Sequence, residues 1–562
     1  MSSHPSRLLR ALLVASAAGA AGVAAHAGTA WTATRTHALD LGTLAAGAEV
    51  QPGQALHVVV SLRLRDQAGL DAITEALTTG RSTRHIDADE FLARFAPAAA
   101  DAQAVAAHLR TAGFTHVTIA KNRLIVSADG TAATAKTAFN AELRHVAVDG
   151  RDAFANVTDV QVPAHLAGIV NGVKGLQTVH VPHVQLSRVD PIANVRRPGT
   201  GAGDIVPHQL TEFETIYDAA ALPTGSKTTV GIIASGDISQ TLLDVPFWAG
   251  EQGIAAPTIE QVVVGTPGVP DANSTVEWDL DGETSVAAAG GALQKVIYYV
   301  GTKLDGPSLT EAYNQAVSDN VARIVNVSIG GCETGNDEAT DDPIFQTAVA
   351  QGQTFTVASG DSGAYTCGTK NGGVSYPASS PYVVAVGGTQ IQTTNQTTWV
   401  AETGWSCSSF LNCFQIFGIH GGSGGGASKV EKAPTWQLSS GVLGSSQMRG
   451  VPDIAFDADF DSGGLMYANG NHYQVAGTSM AAPMFMGFWA RVQSKHGNTL
   501  PFPSSSLYKY GVQKAYASKM FHDVTVGNNG GQSAAAGWDY VTGFGSLDVG
   551  QFSALVDKLV GK

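Results

Sequence analysis

At 562 residues the chain is too long for one ordinary domain, and about two to four are expected. The formal net charge of −14 is unevenly spread: the residues before His208 carry 18 Lys and Arg against 16 Asp and Glu, whereas the rest carries 15 against 31. So acidic a second part argues against a nucleic-acid partner, which would need a basic face, and its few cations limit self-repulsion in acid.

Met1 to Ala27 reads as a secretory signal, with Arg7 and Arg10 ahead of an apolar stretch and Ala25-His26-Ala27 as a small-residue cleavage site. The stretch is broken by Gly19 and Gly22 and is too short for a membrane span. No later segment offers a long uncharged apolar run. A soluble, secreted product is therefore expected, extracellular or periplasmic, monomeric and without a stable membrane anchor.

Residues 28–190 alternate strand and helix patterns. Ala55 to Leu64 reads as a strand; Gly69 to Leu77, Asp87 to Phe95 and Asp101 to Ala112 as helices; Thr115 to Ala120 and Arg123 to Ser127 as strands. Gly130 to Asn140 follows as a helix, His145 to Val148 as a strand and Val162 to Ile169 as a last short helix. These lengths suggest a compact α+β domain with no cluster proposing chemistry of its own. Residues 191–207, with Arg196-Arg197-Pro198 and a Gly-rich tract, read as an exposed linker, and a processing bond is expected between about Val189 and Gln209. A domain placed after a signal and before such a linker suggests a propeptide; a permanent accessory domain is the alternative.

From His208 to Lys562 the rhythm is that of a parallel sheet. Thr228 to Ser235, Gln294 to Val300, Arg323 to Ser328, Gln353 to Ala358 and Tyr382 to Val386 read as buried strands. Val276 to Gly290, Ser308 to Ser318 and Asp342 to Gln351 read as helices between them. In such a doubly wound α/β domain the working crevice lies beyond the carboxyl ends of the strands. The four cysteines all fall here, and their spacing suits two disulfides, Cys332 with Cys367 and Cys407 with Cys413, rather than zinc; four free thiols are the alternative.

Three stretches propose chemistry. Glu277 and Asp281, four apart on the Val276 helix, share one face, and two stacked carboxyls tend to hold a proton between them, whereas Asp279 points elsewhere. The alternative is a solvated acidic face. Asp361, in Ser359-Gly360-Asp361-Ser362-Gly363 after an apolar strand, lies at the carboxyl end of the sheet, where a protonated acid could donate to an oxyanion; the alternative is a simple turn. Gly477-Thr478-Ser479 delivers a serine to a helix N-terminus, beside free backbone N–H groups; the alternative is an ordinary N-cap. The histidines after the linker are His208, His420, His472, His496 and His522, and none has the helix start that a histidine base would require.

Glu-x-x-x-Asp, then Ser-Gly-Asp-x-Gly, then Gly-Thr-Ser-x-x-x-Pro, in this order and spacing, resembles the sedolisins, the serine-carboxyl peptidases, and most of all their pseudomonalisin and xanthomonalisin type. Phe91 to Pro97 looks like the family's prodomain motif and Glu212 to Asp218 like the start of its catalytic domain. The resemblance implies a subtilisin-like doubly wound parallel sheet preceded by an α+β ferredoxin-like prodomain. It also implies acidic endopeptidase activity on proteins and peptides, secretion as a zymogen inhibited by its own prodomain, and insensitivity to pepstatin. By motif, Ser479 would be the nucleophile, Glu277 its general base and acid, Asp281 the carboxyl sharing the proton, and Asp361 the oxyanion donor. Trp278 would wall a subsite or pack in the core.

Near the C-terminus, His522-Asp523-Val524 and Ala535 to Asp539 bracket a Gly- and Asn-rich loop whose own pattern reads as Asx turns. The resemblance instead implies one structural Ca2+, held by the Asp523 and Asp539 side chains and the carbonyls of Val524, Ala535 and Gly537. The family usually has Gly at the Ala535 position, and the loop here looks shorter. Two other readings remain: a non-catalytic peptide-binding protein with this fold, and a histidine-dependent subtilase using a residue such as His420 at neutral pH.

Overall fold

The computed structural model describes residues 30–148, 150–188, 203–407 and 421–561. The expected signal, most of the linker, Cys413 and His420 lie outside these residues.

Strand Ala55–Leu62 organises the first domain. Its period-two alternation sends Leu56, Val58, Val60 and Leu62 into the domain's own core and Val59 into the core shared with the second domain. It is flanked by Ile125–Thr131 and Val170–Lys174, with Thr115–Ile119 beyond the former, all antiparallel. With helices Gln67–Thr78, Ala88–Arg94, Ala99–Thr111 and Ala132–Phe139 this is the ferredoxin-like βαββαβ arrangement. One expectation fails: Val162 to Ile169 is not a helix. Gln161–Pro163 is a short strand, Ala164–Leu166 a single 3-10 turn, and the strand that completes the sheet starts only at Val170.

The second domain is built on an eight-stranded sheet. Its spatial order is Ile259–Val264, Leu293–Gly301, Gly225–Ser235, Ile324–Val327, Thr354–Ala358, Val383–Thr394 and Thr398–Gly404, with Ile454–Asp457 also pairing the sixth. Every pairing is parallel except that of Thr398–Gly404. Helices Ala272–Ala288 and Thr478–Lys495 pack together on this sheet. They cross at Gly487, where an added Cβ would lie 2.6 Å from both the Ser285 carbonyl oxygen and the Ala288 Cβ. That close crossing brings the acidic helix and the serine helix together. Cys332 and Cys367 form the expected disulfide; Cys407 is also disulfide-bonded, and its expected partner Cys413 lies outside the described residues.

The first domain sits on helices Gly306–Asp319 and Glu338–Gln351 through buried and part-buried polar contacts. Lys174 Nζ reaches Asp337 at 2.9 Å and Asp341 at 2.6 Å, His57 reaches Glu311 at 3.2 Å, and Asn122 donates to Asn314. Burial opposes the charge on Asp337, but Lys174 outweighs it and holds the carboxyl below its usual range. Its contribution is therefore present at neutral pH and lost as pH falls through that lowered pKa. Burial raises Asp341 despite Lys174, so it takes its proton earlier. His57 is raised to about 9 because Glu311 and Asp129 overcome its burial, so it stays charged at neutral pH and in acid.

Lys174→Met would leave two buried carboxyls without their cation, a loss of about 3–5 kcal/mol while both are ionised. In a Ser479→Ala background, which removes self-cutting, trypsin at neutral pH is expected to strip the first domain from this variant much faster than from its parent. The difference should shrink in acid.

Candidate active site

The serine helix begins at Thr478 directly after Gly477, whose φ of 120° only glycine holds without strain. The first helical amides have no partner within the helix. The Thr478 N–H donates to Asp361 Oδ1 at 2.8 Å, and the Ser479 N–H donates at 3.1 Å to the carbonyl of Gln185, a residue of the first domain's tail. The Ser479 hydroxyl is buried and donates to the Ser328 carbonyl at 3.3 Å.

Asp361 follows strand Thr354–Ala358, at the carboxyl end of the sheet as expected. Its Oδ1 accepts from both the N–H and the hydroxyl of Thr478, each at 2.8 Å, which leaves a buried Oδ2 without a partner. A Cβ built on Gly477 would lie 2.5 Å from this Oδ2 and 2.5 Å from the Gln185 carbonyl oxygen, so the two oxygens face the same point. Burial pushes the Asp361 pKa up to about 7, the Thr478 contacts pulling the other way. Below that pH the proton belongs on Oδ2, because Oδ1 already accepts twice. The turn is braced by loop 421–428: the Gly422 N–H donates to the Asp361 carbonyl and the Gly424 N–H to that of Gly360.

Glu277 and Asp281 are fully buried, not a solvated face, and so are Asp279 and Glu283 beside them. Asp281 Oδ1 accepts from the Ser328 hydroxyl at 2.6 Å and from Asn326 Nδ2 at 3.0 Å. Both donors stand at the carboxyl end of strand Ile324–Val327. Burial first, and then the charge of Asp281, raise Glu277 well above the carboxylate range; burial also raises Asp281, against the pull of Ser328 and Asn326. The two titrate together, so at acid and neutral pH a proton resides on the pair. Neither Glu277 oxygen has a well-formed hydrogen bond, although the nearby Ser479 and Ser328 hydroxyls favour its charged form. Trp278 is core: it is 1% exposed, and its carbonyl accepts from the Tyr298 hydroxyl.

The tail of the first domain crosses this site as an extended strand. His183–Val184 pairs antiparallel with Ile329–Cys332, and Ser187–Arg188 pairs antiparallel with Asn471–Ala476. Sequence reasoning missed this segment, and it also missed Ser328, Asn326 and Thr478, the donors that orient the carboxyls. Only the position of Asn326 and Ser328 at the end of a parallel strand could have flagged them.

At the C-terminal loop the residues proposed for calcium make two separate sets of hydrogen bonds. Both Asp523 oxygens accept from the Gly537 N–H at 3.1 Å, while Asp539 accepts from the amides of Ala535, Val541 and Thr542. Neither carboxylate forms a salt bridge with Lys or Arg among the described residues. Carboxylate and carbonyl oxygens of this kind are the hard donors that Ca2+ takes.

A serine at a helix N-terminus on a doubly wound parallel sheet, with buried carboxyls beside it, is the arrangement of a subtilase-like serine peptidase. Residues 272–545 match the subtilase family and residues 44–179 the Pro-kumamolisin activation domain. Sedolisin of Pseudomonas sp. (strain 101) is 41% identical over 97% of this chain and 96% of its own length. Xanthomonalisin of Xanthomonas sp. (strain T-22) is 39% identical over 91% of this chain and 66% of its own length. The solved structure of Pseudomonas sedolisin, a serine-carboxyl proteinase complexed with two molecules of pseudo-iodotyrostatin, is 42% identical, with a TM-score of 0.59 over 64% of this chain and 99% of that one. The chain belongs to the sedolisin family of serine-carboxyl peptidases. It is a serine-type peptidase that carries an activation prodomain, as a zymogen does.

Proposed function

We propose that this peptidase is secreted, works in acid as an endopeptidase on proteins, and processes itself through an acyl-enzyme on Ser479. Ser479 Oγ attacks the peptide carbonyl while its proton passes to Glu277; Glu277 returns a proton to the leaving amine, and water then releases the acyl group. Asp281 shares the proton with Glu277 and is held for this by Ser328 and Asn326. Asp361, protonated on Oδ2, and the Ser479 N–H receive the oxyanion.

The observation that carries this reading is the partnerless Asp361 Oδ2, which faces the same point as a peptide carbonyl already bound to the Ser479 N–H. Its test is acyl trapping. After acid quench of a reaction with an activated peptide ester, the acyl mass should sit on the fragment containing Ser479; an unlabelled fragment despite turnover would sink the mechanism.

Removing the oxyanion acid should slow turnover without preventing binding. Asp361→Ala is expected to lower kcat by about 10²–10³-fold, with KM changed far less, as for loss of one oxyanion donor elsewhere. In the wild type the same group should turn activity off as pH rises through about 7.

Export rests on the signal-like Met1 to Ala27, and among the described residues no helix is long and apolar enough to cross a membrane. A Ca2+ held by Asp523, Asp539 and the carbonyls of Val524, Ala535 and Gly537 would pin the C-terminal loop. Free ion at about 100 times its Kd would then add about 2.7 kcal/mol of stability. A chelator should lower the melting temperature of the wild type and leave that of Asp523→Ala unchanged.

A further inference from the structure

We infer that the first self-processing cut falls between Gln185 and Leu186, upstream of the linker, and that it occurs within the molecule. The inference rests on the peptidase reading above and adds the bond on which the chain first acts. Only Gln185 and Leu186 lie between the two strand pairings of the tail: Val184 is the last residue paired with Ile329, and Ser187 the first paired with Ala476.

Three hydrogen bonds fix Gln185 there. Its N–H donates to the Ser328 carbonyl at 3.0 Å, its carbonyl accepts from the Ser479 N–H at 3.1 Å, and its side-chain Oε1 accepts from the Asp361 N–H at 3.1 Å. The side chain is 2% exposed, and an added Cβ on Gly330 would come within 3.2 Å of its Nε2. A peptide bound as a strand on both sides of a nucleophile presents one carbonyl to the oxyanion donors, and here that carbonyl is Gln185's.

Attack of Ser479 Oγ on the Gln185 carbonyl carbon forms the ester as the bond to the Leu186 nitrogen breaks. The serine proton goes to Glu277, and a proton from the carboxyl pair goes to the leaving nitrogen. Water then splits the ester, giving Gln185 a free carboxyl and Leu186 a free amine, and restoring the Ser479 hydroxyl. Any cut in the 191–207 linker comes afterwards and trims the new N-terminus.

The test follows purified full-length wild-type zymogen shifted to acid and quenched at short times, with all new termini mapped by intact mass and N-terminal sequencing. Expected are a fragment ending at Gln185 and one beginning at Leu186 before any other, at a rate independent of protein concentration. Leu186→Pro, with an imide nitrogen at the leaving position, should lose this pair, whereas Arg196→Ala with Arg197→Ala should keep it. The wild-type mapping stands even if the proline variant fails to fold. A first new terminus inside the linker, or a rate rising with concentration, would overturn the inference while leaving the peptidase reading intact. No cut together with no hydrolysis of an unfolded protein at any pH would overturn both.

Discussion

Ser479→Ala is expected to remain full-length in acid and to have no measurable activity on unfolded protein, a fall of about 10⁴-fold or more. Among the described residues, Ser479 is the hydroxyl that combines a helix N-terminal position, its own amide on a bound peptide carbonyl and the carboxyl pair nearby. The folded structure should survive, because the hydroxyl's bond to the Ser328 carbonyl is long at 3.3 Å and alanine fits the space. The uncut variant also keeps the first domain docked, which makes it the reference for the Lys174 experiment. Residual self-cutting in purified Ser479→Ala would mean that another nucleophile, or a contaminating peptidase, performs the reaction.

Glu277→Gln and Asp281→Asn are expected to lower kcat by about 10²–10⁴-fold each, the range for loss of a general acid–base, and the double variant should be scarcely worse than the poorer single. The reason is that the two carboxyls handle one shared proton: an amide at either position removes the shuttle. The amides preserve volume in a site with no exposed surface, so stability should not fall as it would with alanine. Replacing one carboxyl of this proton-holding pair by a neutral amide should also flatten the decline of stability towards alkaline pH. The sign follows from the raised pKa values: the folded state holds a proton that the unfolded chain releases, so it loses about 1.4 kcal/mol per bound proton for each pH unit between the unfolded and folded pKa. Additive losses in kcat would show two independent groups and break the shared-proton mechanism.

The strands of the second domain were legible because a sheet covered on both faces writes continuous apolar runs, such as Val230 to Ala234 and Thr354 to Ala358. Strand Val170–Lys174 was not, since Asn171 and Gly172 interrupt its pattern and it emerges straight from the turn at Ala164–Leu166. In the acidic helix, spacing identified Glu277 and Asp281 as a pair, but nothing local said that Asp279 and Glu283 would be buried too. Their cover comes from helix Thr241–Glu251 and strand Gly464–Ala468: Thr241 and Asp244 lie beside Asp279, and the Tyr467 N–H donates to Glu283 at 3.2 Å. The roles of Gln185 and Ser328 depend on partners far along the chain, His183 pairing with Gly330 and Ser187 with Ala476, and no local pattern encodes those meetings. Resemblance to a family supplied what periodicity could not, namely that three separated motifs belong to one site.

The most direct measurement is kcat/KM of the processed enzyme on a peptide substrate from about pH 3 to 8, the span over which carboxyls and histidine titrate. Activity confined to acid, falling through about pH 7 as Asp361 ionises, and unchanged in form when His472, His496 and His522 are each replaced, is the expected result. A maximum near neutrality that disappears with one histidine would assign the base to that residue and contradict a serine served by Glu277 and Asp281.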